Sequence, residues 1–197
     1  MNKKDIKFIE ETLSIIISKP LRDITRSGSM IIIDFGELIE IDTFELSEDG
    51  RLARDENAKP IPVKKIRGQY CLTPLCSMRL SCGDEIIFAS GDIFLPTDEQ
   101  FLKDDFVWDT FDWHTYGNSI FEKLIAKHFV DDDFSDYIVK SIKISKFGDL
   151  AISFENNFVL EVFAETSKYS ENWRFGEINS TESLIINGNG IDRERSS

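Results

Sequence analysis

Between residues 137 and 165 the chain reads as three short runs of alternating apolar and polar residues, 137–146, 149–155 and 158–165, with Asn156-Asn157 between the last two. Period-two alternation broken by a pair of asparagines is the pattern of a β-hairpin. Parity then limits its register. A two-residue loop would set Ile152 against Glu161, whereas a three-residue loop centred on Asn157 sets Phe154 against Leu160 and Ile152 against Val162. Only the second keeps the apolar side chains of both strands on one face. It predicts a left-handed Asn157 or neighbour and a bulged turn. An antiparallel sheet is therefore the frame into which the rest must fit.

The remaining segments supply its other parts. Residues 3–19 place Ile6, Ile9, Leu13, Ile16 and Ile17 on one stripe, which predicts an amphipathic helix ending before Pro20. After a polar turn over 22–29, the β-branched run 30–36 and the alternation over 38–46 predict a hairpin turned near Gly36. Residues 47–69, with Pro60, Pro62 and the bases Lys59, Lys64, Lys65 and Arg67, read as a connection. Strands are expected over 70–81, where Pro74 implies an edge or a bulge, over 85–90 and over 183–187. Ser119 with Glu122 three residues on has the spacing of a capping box, and Phe121, Leu124, Ile125 and His128 follow at helical spacing. The fold class expected is α+β: an antiparallel sheet with an N-terminal helix and an acidic, partly helical insertion, one domain over 1–192 with a frayed tail at 193–197.

Charge singles out the insertion. The 197-residue chain carries 36 acids and 23 bases, a net charge of -13. Such a field repels polyanions, so neither nucleic acid nor a membrane surface is expected as a partner, and it accelerates encounter with a basic protein. Residues 98–136 hold eleven of the acids against three bases, a net of -8, together with nine aromatics. Acid-rich disordered tails lack aromatics, so this segment either folds or binds. Its Asp104, Asp105, Trp108, Asp109, Phe111, Asp112 and Trp113 are the candidate surface for a basic protein partner.

Catalytic signatures are missing. There is no G-x-S-x-G, no P-loop, no H-E-x-x-H and no G-x-G-x-x-G, so no catalytic residue and no cofactor is assigned. Cys71, Cys76 and Cys82 form no C-x-x-C pair. In a single strand over 70–82, Cys76 and Cys82 would lie about 20 Å apart, beyond disulfide reach, so free thiols, no zinc and a cytoplasmic location are expected. Asp109, Asp112 and His114 combine metal-ligating types, but the alternative, an exposed acidic turn, fits a spacing this common, and no metal is assigned. The Asp131-Asp132-Asp133 run lacks the alternation and glycine of a calcium loop. His128, on an apolar helical face, reads as packed against the core. Trp173 and Arg174, with Arg79, form the alternative site, the pocket of a small-ligand-binding protein or an enzyme in which arginines clamp an anionic ligand. The alternative for each is core filling and ion pairing.

Arg26-Ser27-Gly28-Ser29-Met30 leading into Phe35-Gly36, Cys76-Ser77-Met78-Arg79 within 72–80, and Gly148-Asp149-Leu150 through Glu171-Asn172-Trp173-Arg174 to Ile185-Ile186-Asn187-Gly188 together resemble an uncharacterised family of small bacterial α+β proteins. The resemblance spans about 20–192 and leaves out 98–136, which marks that segment as an insertion. It implies a compact α+β fold and no catalytic residues. In size and charge the chain is also similar to bacterial immunity proteins that neutralise toxins, an analogy of fold and charge alone.

Overall fold

The computed structural model describes residues 1–45, 52–103, 106–129 and 134–192. The tail at 193–197, the Asp131–Asp133 run and part of the expected 47–69 connection lie outside the described residues.

Helix α1 (Lys3–Leu13) starts at Asn2, whose side-chain oxygen accepts the backbone N–H groups of Lys4 and Asp5. It buries Ile9 and Leu13 and then tightens into a 3-10 turn over Ser14–Ile16. The helix is thus shorter than the 3–19 stripe predicts. Ile17 already follows that turn in an extended conformation, φ -60° and ψ 137°, which takes it off the buried stripe and leaves it exposed.

Strands β1 (Leu21–Ser27), β2 (Met30–Phe44), β3 (Pro62–Pro74), β9 (Glu171–Glu177), β10 (Leu184–Asn187) and β11 (Gly190–Ile191) form one sheet in the order β1-β2-β3-β9-β10-β11. Strands β4 (Met78–Cys82), β5 (Glu85–Ala89), β6 (Val139–Ile144), β7 (Leu150–Phe154) and β8 (Phe158–Val162) form the second, in the order β5-β4-β8-β7-β6. Ladder pairs among the described residues are antiparallel, so the class is α+β, with an N-terminal helix on antiparallel sheets. The two sheets are tied where β1 meets β6: Val139 N–H donates to Lys19 O and Leu21 N–H to Tyr137 O, each at 2.9 Å. Where the chain itself crosses between them, Leu75 N–H to Asn172 O extends the β3–β9 ladder and Phe163 N–H to Ser77 O extends the β4–β8 ladder, each at 2.8 Å. One continuous core results, shared by Ile33, Phe35, Leu72 and Trp173 from the first sheet and Leu80, Ile152, Phe154 and Val162 from the second.

Several expectations need correction. The polar turn over 22–29 is mostly strand β1, because Leu21, Ile24 and Arg26 turn inward. The hairpin turns at Gly28-Ser29 instead of near Gly36, and β2 runs straight through Gly36 by means of a bulge between Phe35 and Leu38. Gly36 has φ +92° there, and opposite it a Cβ on Gly68 would lie 2.8 Å from Phe35 O, so the bulge is sealed by two glycines. Residues 62–69 are strand because their bases meet acids across the ladder: Lys64 lies opposite Asp42 and pairs with Glu40. The single strand expected over 70–81 is two strands in different sheets. Pro74, opposite Trp173, is the last residue of β3; Leu75 N–H makes one further bond to Asn172 O, and the chain then changes sheet over 75–77. The hairpin after β7 keeps the predicted parity, with Asn157 at φ +69° and both Phe154 and Leu160 buried on one face. Its register is shifted, since Ile152 pairs with Leu160 and Leu150 with Val162. Asn157 N–H bonds Phe154 O, which centres the three-residue loop on Asn156.

Candidate functional site

Residues 97–118 leave the core and return. Pro96 and Ser119 form a bridge at the base, and Ile120 N–H donates to Leu95 O at 2.9 Å. Among the described residues of this excursion, short pieces are regular: helix α2 (Asp98–Phe101) and a 3-10 turn at Trp108–Thr110. Helix α3 (Ile120–His128) then leads back into the core.

The nine aromatics of 98–136 therefore divide. Phe121, Phe129 and Phe134 are buried; Phe121 and Phe129 pack edge-on against Phe88, and Phe129 and Phe134 stack at 4.2 Å. Phe101, Phe106 and Trp108 instead pack on one another, with ring centroids 5.4–5.8 Å apart, as a satellite cluster within the excursion. Its outer side is bare: Phe101 is 51% and Trp108 54% exposed, with Leu102 and Val107 exposed beside them. Trp113 lies edge-on to Phe94 at 5.0 Å and stacks on the His114 ring at 3.7 Å, so it is half-buried, as is Phe111. Asp104 and Asp105 lie outside the described residues.

The two described acids of the expected surface behave differently. Asp109 is exposed at the start of the 3-10 turn. Asp112 is also exposed but turned to its own loop: Oδ2 accepts the Thr115 hydroxyl at 2.7 Å and Oδ1 the His114 N–H at 3.0 Å and ring nitrogen at 3.2 Å. The Thr115 hydroxyl, followed by the His114 N–H, holds the Asp112 carboxyl below the usual aspartate range. Asp112 is thus an ionised turn-former, and replacing it would disturb the loop as well as its charge.

What fixes the excursion in place is a buried cation that sequence reading missed. Arg26, on β1, sends Nε to Glu122 Oε1, Nη1 to Gly28 O at 2.8 Å and Nη2 to Thr115 O at 3.3 Å, and its guanidinium lies 6.0 Å from the Tyr116 ring. Glu122 is buried and takes the Ser119 hydroxyl on its other oxygen. The capping box is therefore not formed: Ser119 is the N-cap by position, but its hydroxyl serves Glu122 instead of a backbone N–H. The one sequence signal was a glutamate on the apolar side of a helix, beside Phe121 and Ile125.

The alternative pocket is not assembled around Trp173. Trp173 has no accessible surface and donates Nε1–H to Gly148 O at 2.8 Å. Arg79, on β4, pairs with Glu161 at 2.7 Å and lies 5.0 Å over Phe163, whereas Arg174, on the other sheet, is held by Glu171. Each guanidinium is neutralised by a neighbour in its own sheet. His128 Nε2 meets the Tyr137 hydroxyl; burial holds the imidazole below its usual value and pushes the phenol up to about 12, so the O–H donates to a neutral ring. Cys71, Cys76 and Cys82 are free thiols, with Cys76 pushed up to about 12 by burial and then by Glu165 and Asp149. Among the described residues no helix is long and apolar enough to cross a membrane, and no three acidic, histidine or cysteine side chains are grouped to hold a metal ion. Comparison with protein-family models, with curated proteins and with solved structures finds no match to this chain.

Proposed function

We propose that the chain is a non-enzymatic, cytoplasmic protein-binding module, of the kind bacterial immunity proteins are, which presents the 97–118 excursion to a basic protein. The observation that carries this reading is the bare outer side of the Phe101–Phe106–Trp108 cluster beside two exposed acids, Asp109 and Glu99, the latter paired with Lys123 at 2.8 Å. Rings that only served folding would be expected to bury their outer faces, as Phe121 and Phe129 do. An aromatic anchor ringed by charge supplies affinity from the rings and encounter rate from the field. The net charge of -13 extends that steering over the molecule.

The test compares wild-type bait with Trp108→Ala, Phe101→Ala and Asp109→Asn in capture from the source cell's lysate. Basic proteins should be retained by the wild type, lost on the aromatic variants, reduced on Asp109→Asn and reduced by added salt, with thermal stability close to wild type for all three. Recovery of the same proteins by every bait would overturn the proposal.

A further inference from the structure

On the flank of α1, away from the excursion's residues, the structure opens a cavity of about 360 Å³, within the range of small-ligand sites. Phe8, Thr12 and Ile15 recur at helical spacing and form one wall, standing beside the stripe that Ile9, Leu13 and Ile16 bury. Tyr70 and Phe175 form the floor, their rings near-parallel with centroids 6.1 Å apart. Glu177, paired across the ladder with Tyr70, and Glu182 supply the charge at its edge. Among the described residues no lysine, arginine or histidine lines it.

We infer that this cavity binds a small organic ammonium ion carried on an apolar body. Aromatic faces attract cations through the ring quadrupole, a role that falls chiefly to Phe8, 48% exposed, because Tyr70 and Phe175 are only 6% and 3% exposed, and a carboxylate at the rim completes the recognition of an alkylammonium. Glu177 is held for this by Gln69, whose Nε2–H donates to Oε1 at 3.0 Å, which leaves its other oxygen for a ligand. Glu182 has its backbone N–H fixed by the Ser180 hydroxyl at 3.0 Å, and its carboxylate meets no side-chain partner among the described residues. The Tyr70 phenol is pushed above its usual value by burial and then by Glu177, so that carboxylate's field reaches the floor. Lys19 touches the Tyr70 ring, 5.9 Å from its centroid, but is not among the lining residues and neutralises neither glutamate. An anion would meet two carboxylates. Among the described residues no three acidic, histidine or cysteine side chains are grouped here to hold a metal ion.

The probe is phenethylammonium chloride, titrated into the full chain by calorimetry beside its neutral analogue 2-phenylethanol. The ammonium should bind about tenfold more tightly, the factor that 1.4 kcal/mol confers. Glu177→Gln with Glu182→Gln should remove most of that difference, Glu182→Gln alone should remove part of it, and Phe8→Ala should weaken both probes. Because a chain of charge -13 attracts any cation, Glu155→Gln serves as the control for the general field and should leave the affinity unchanged. Circular dichroism checks folding of each variant; Glu182 is exposed, so its variant keeps the test open if Glu177→Gln does not fold. Equal affinity for the two probes, no saturable binding of the ammonium, or an affinity that Glu155→Gln lowers as much as Glu182→Gln would overturn the inference.

Discussion

Replacing Glu122 with Gln should cost more than any other single-atom change in the excursion's support. In the wild type the Arg26 side chain is 1% exposed and the Glu122 side chain 8%, so neither charge can be solvated if the other is removed. Glu122→Gln keeps the shape and one acceptor oxygen but leaves the guanidinium with two carbonyls, Gly28 O and Thr115 O, and no counter-charge. Removing one member of a buried pair costs about 3–5 kcal/mol, and the retained amide oxygen places this variant near the lower end, about 3 kcal/mol. At this chain length that lowers the melting temperature by about 6–12 °C. Urea unfolding followed by circular dichroism should show a lower midpoint at unchanged slope. The double variant Arg26→Met with Glu122→Leu replaces the pair by apolar groups and should lie close to wild type although each of its two substitutions made alone is destabilising, so the two are strongly non-additive. If Glu122→Gln lies within about 0.5 kcal/mol of wild type, or the two substitutions add, the pair does not hold the base of the excursion.

Other consequences can be measured on the same preparations. Burial lowers the His128 value in the native state, so the unfolded chain takes up that proton first; this contribution to stability is complete above about pH 6.5 and is lost as pH falls below it. The stability of His128→Asn should accordingly change less than that of wild type between pH 7 and 5.5, and equal slopes would contradict the assignment. Cys76 should resist thiol reagents at pH 8 while the native fold lasts, because its thiol is pushed up to about 12, and should react at once in denaturant; prompt native labelling would contradict this. A Cβ at position 188 would lie 2.3 Å from Thr166 O, whereas one at 91 meets open space. Gly188→Ala should therefore cost about 3 kcal/mol or more and Gly91→Ala less than about 1, as read from thermal melts.

The sequence carried the parts of this fold in which local pattern and tertiary role agree. The parity of the β7–β8 hairpin, the stripe of α1 and the helix after Ser119 are of this kind, since each can be read within one short window. Strand β1 could not be read that way. Its inward residue Arg26 is charged, and the glutamate that makes it a core residue lies 96 positions away. Gly36 is a turn signal in sequence and a bulge in the sheet, because the glycine that accommodates it, Gly68, comes from the next strand. The bases of 62–69 resemble a solvated connection until Asp42 and Glu40 are set opposite them. For the candidate site, composition shows an acidic aromatic segment but not which rings are core. Phe121 and Trp108 are equivalent in a count, and only the return of the chain at Ser119 separates the buried rings from the bare ones. Asp112 was legible as an acid but not as a turn-former, because its partners Thr115 and His114 are marked by geometry alone.

Photo-crosslinking from the aromatic cluster tests the central claim most directly. With p-benzoylphenylalanine at position 108, irradiation in the source cell should yield a discrete adduct with a basic protein, reduced by Asp109→Asn in the same chain. The same residue at position 169, an exposed site in the connection between β8 and β9, should not give that adduct. An identical adduct pattern from both positions, or no adduct from position 108, would contradict the assignment of the 97–118 excursion as the interaction surface.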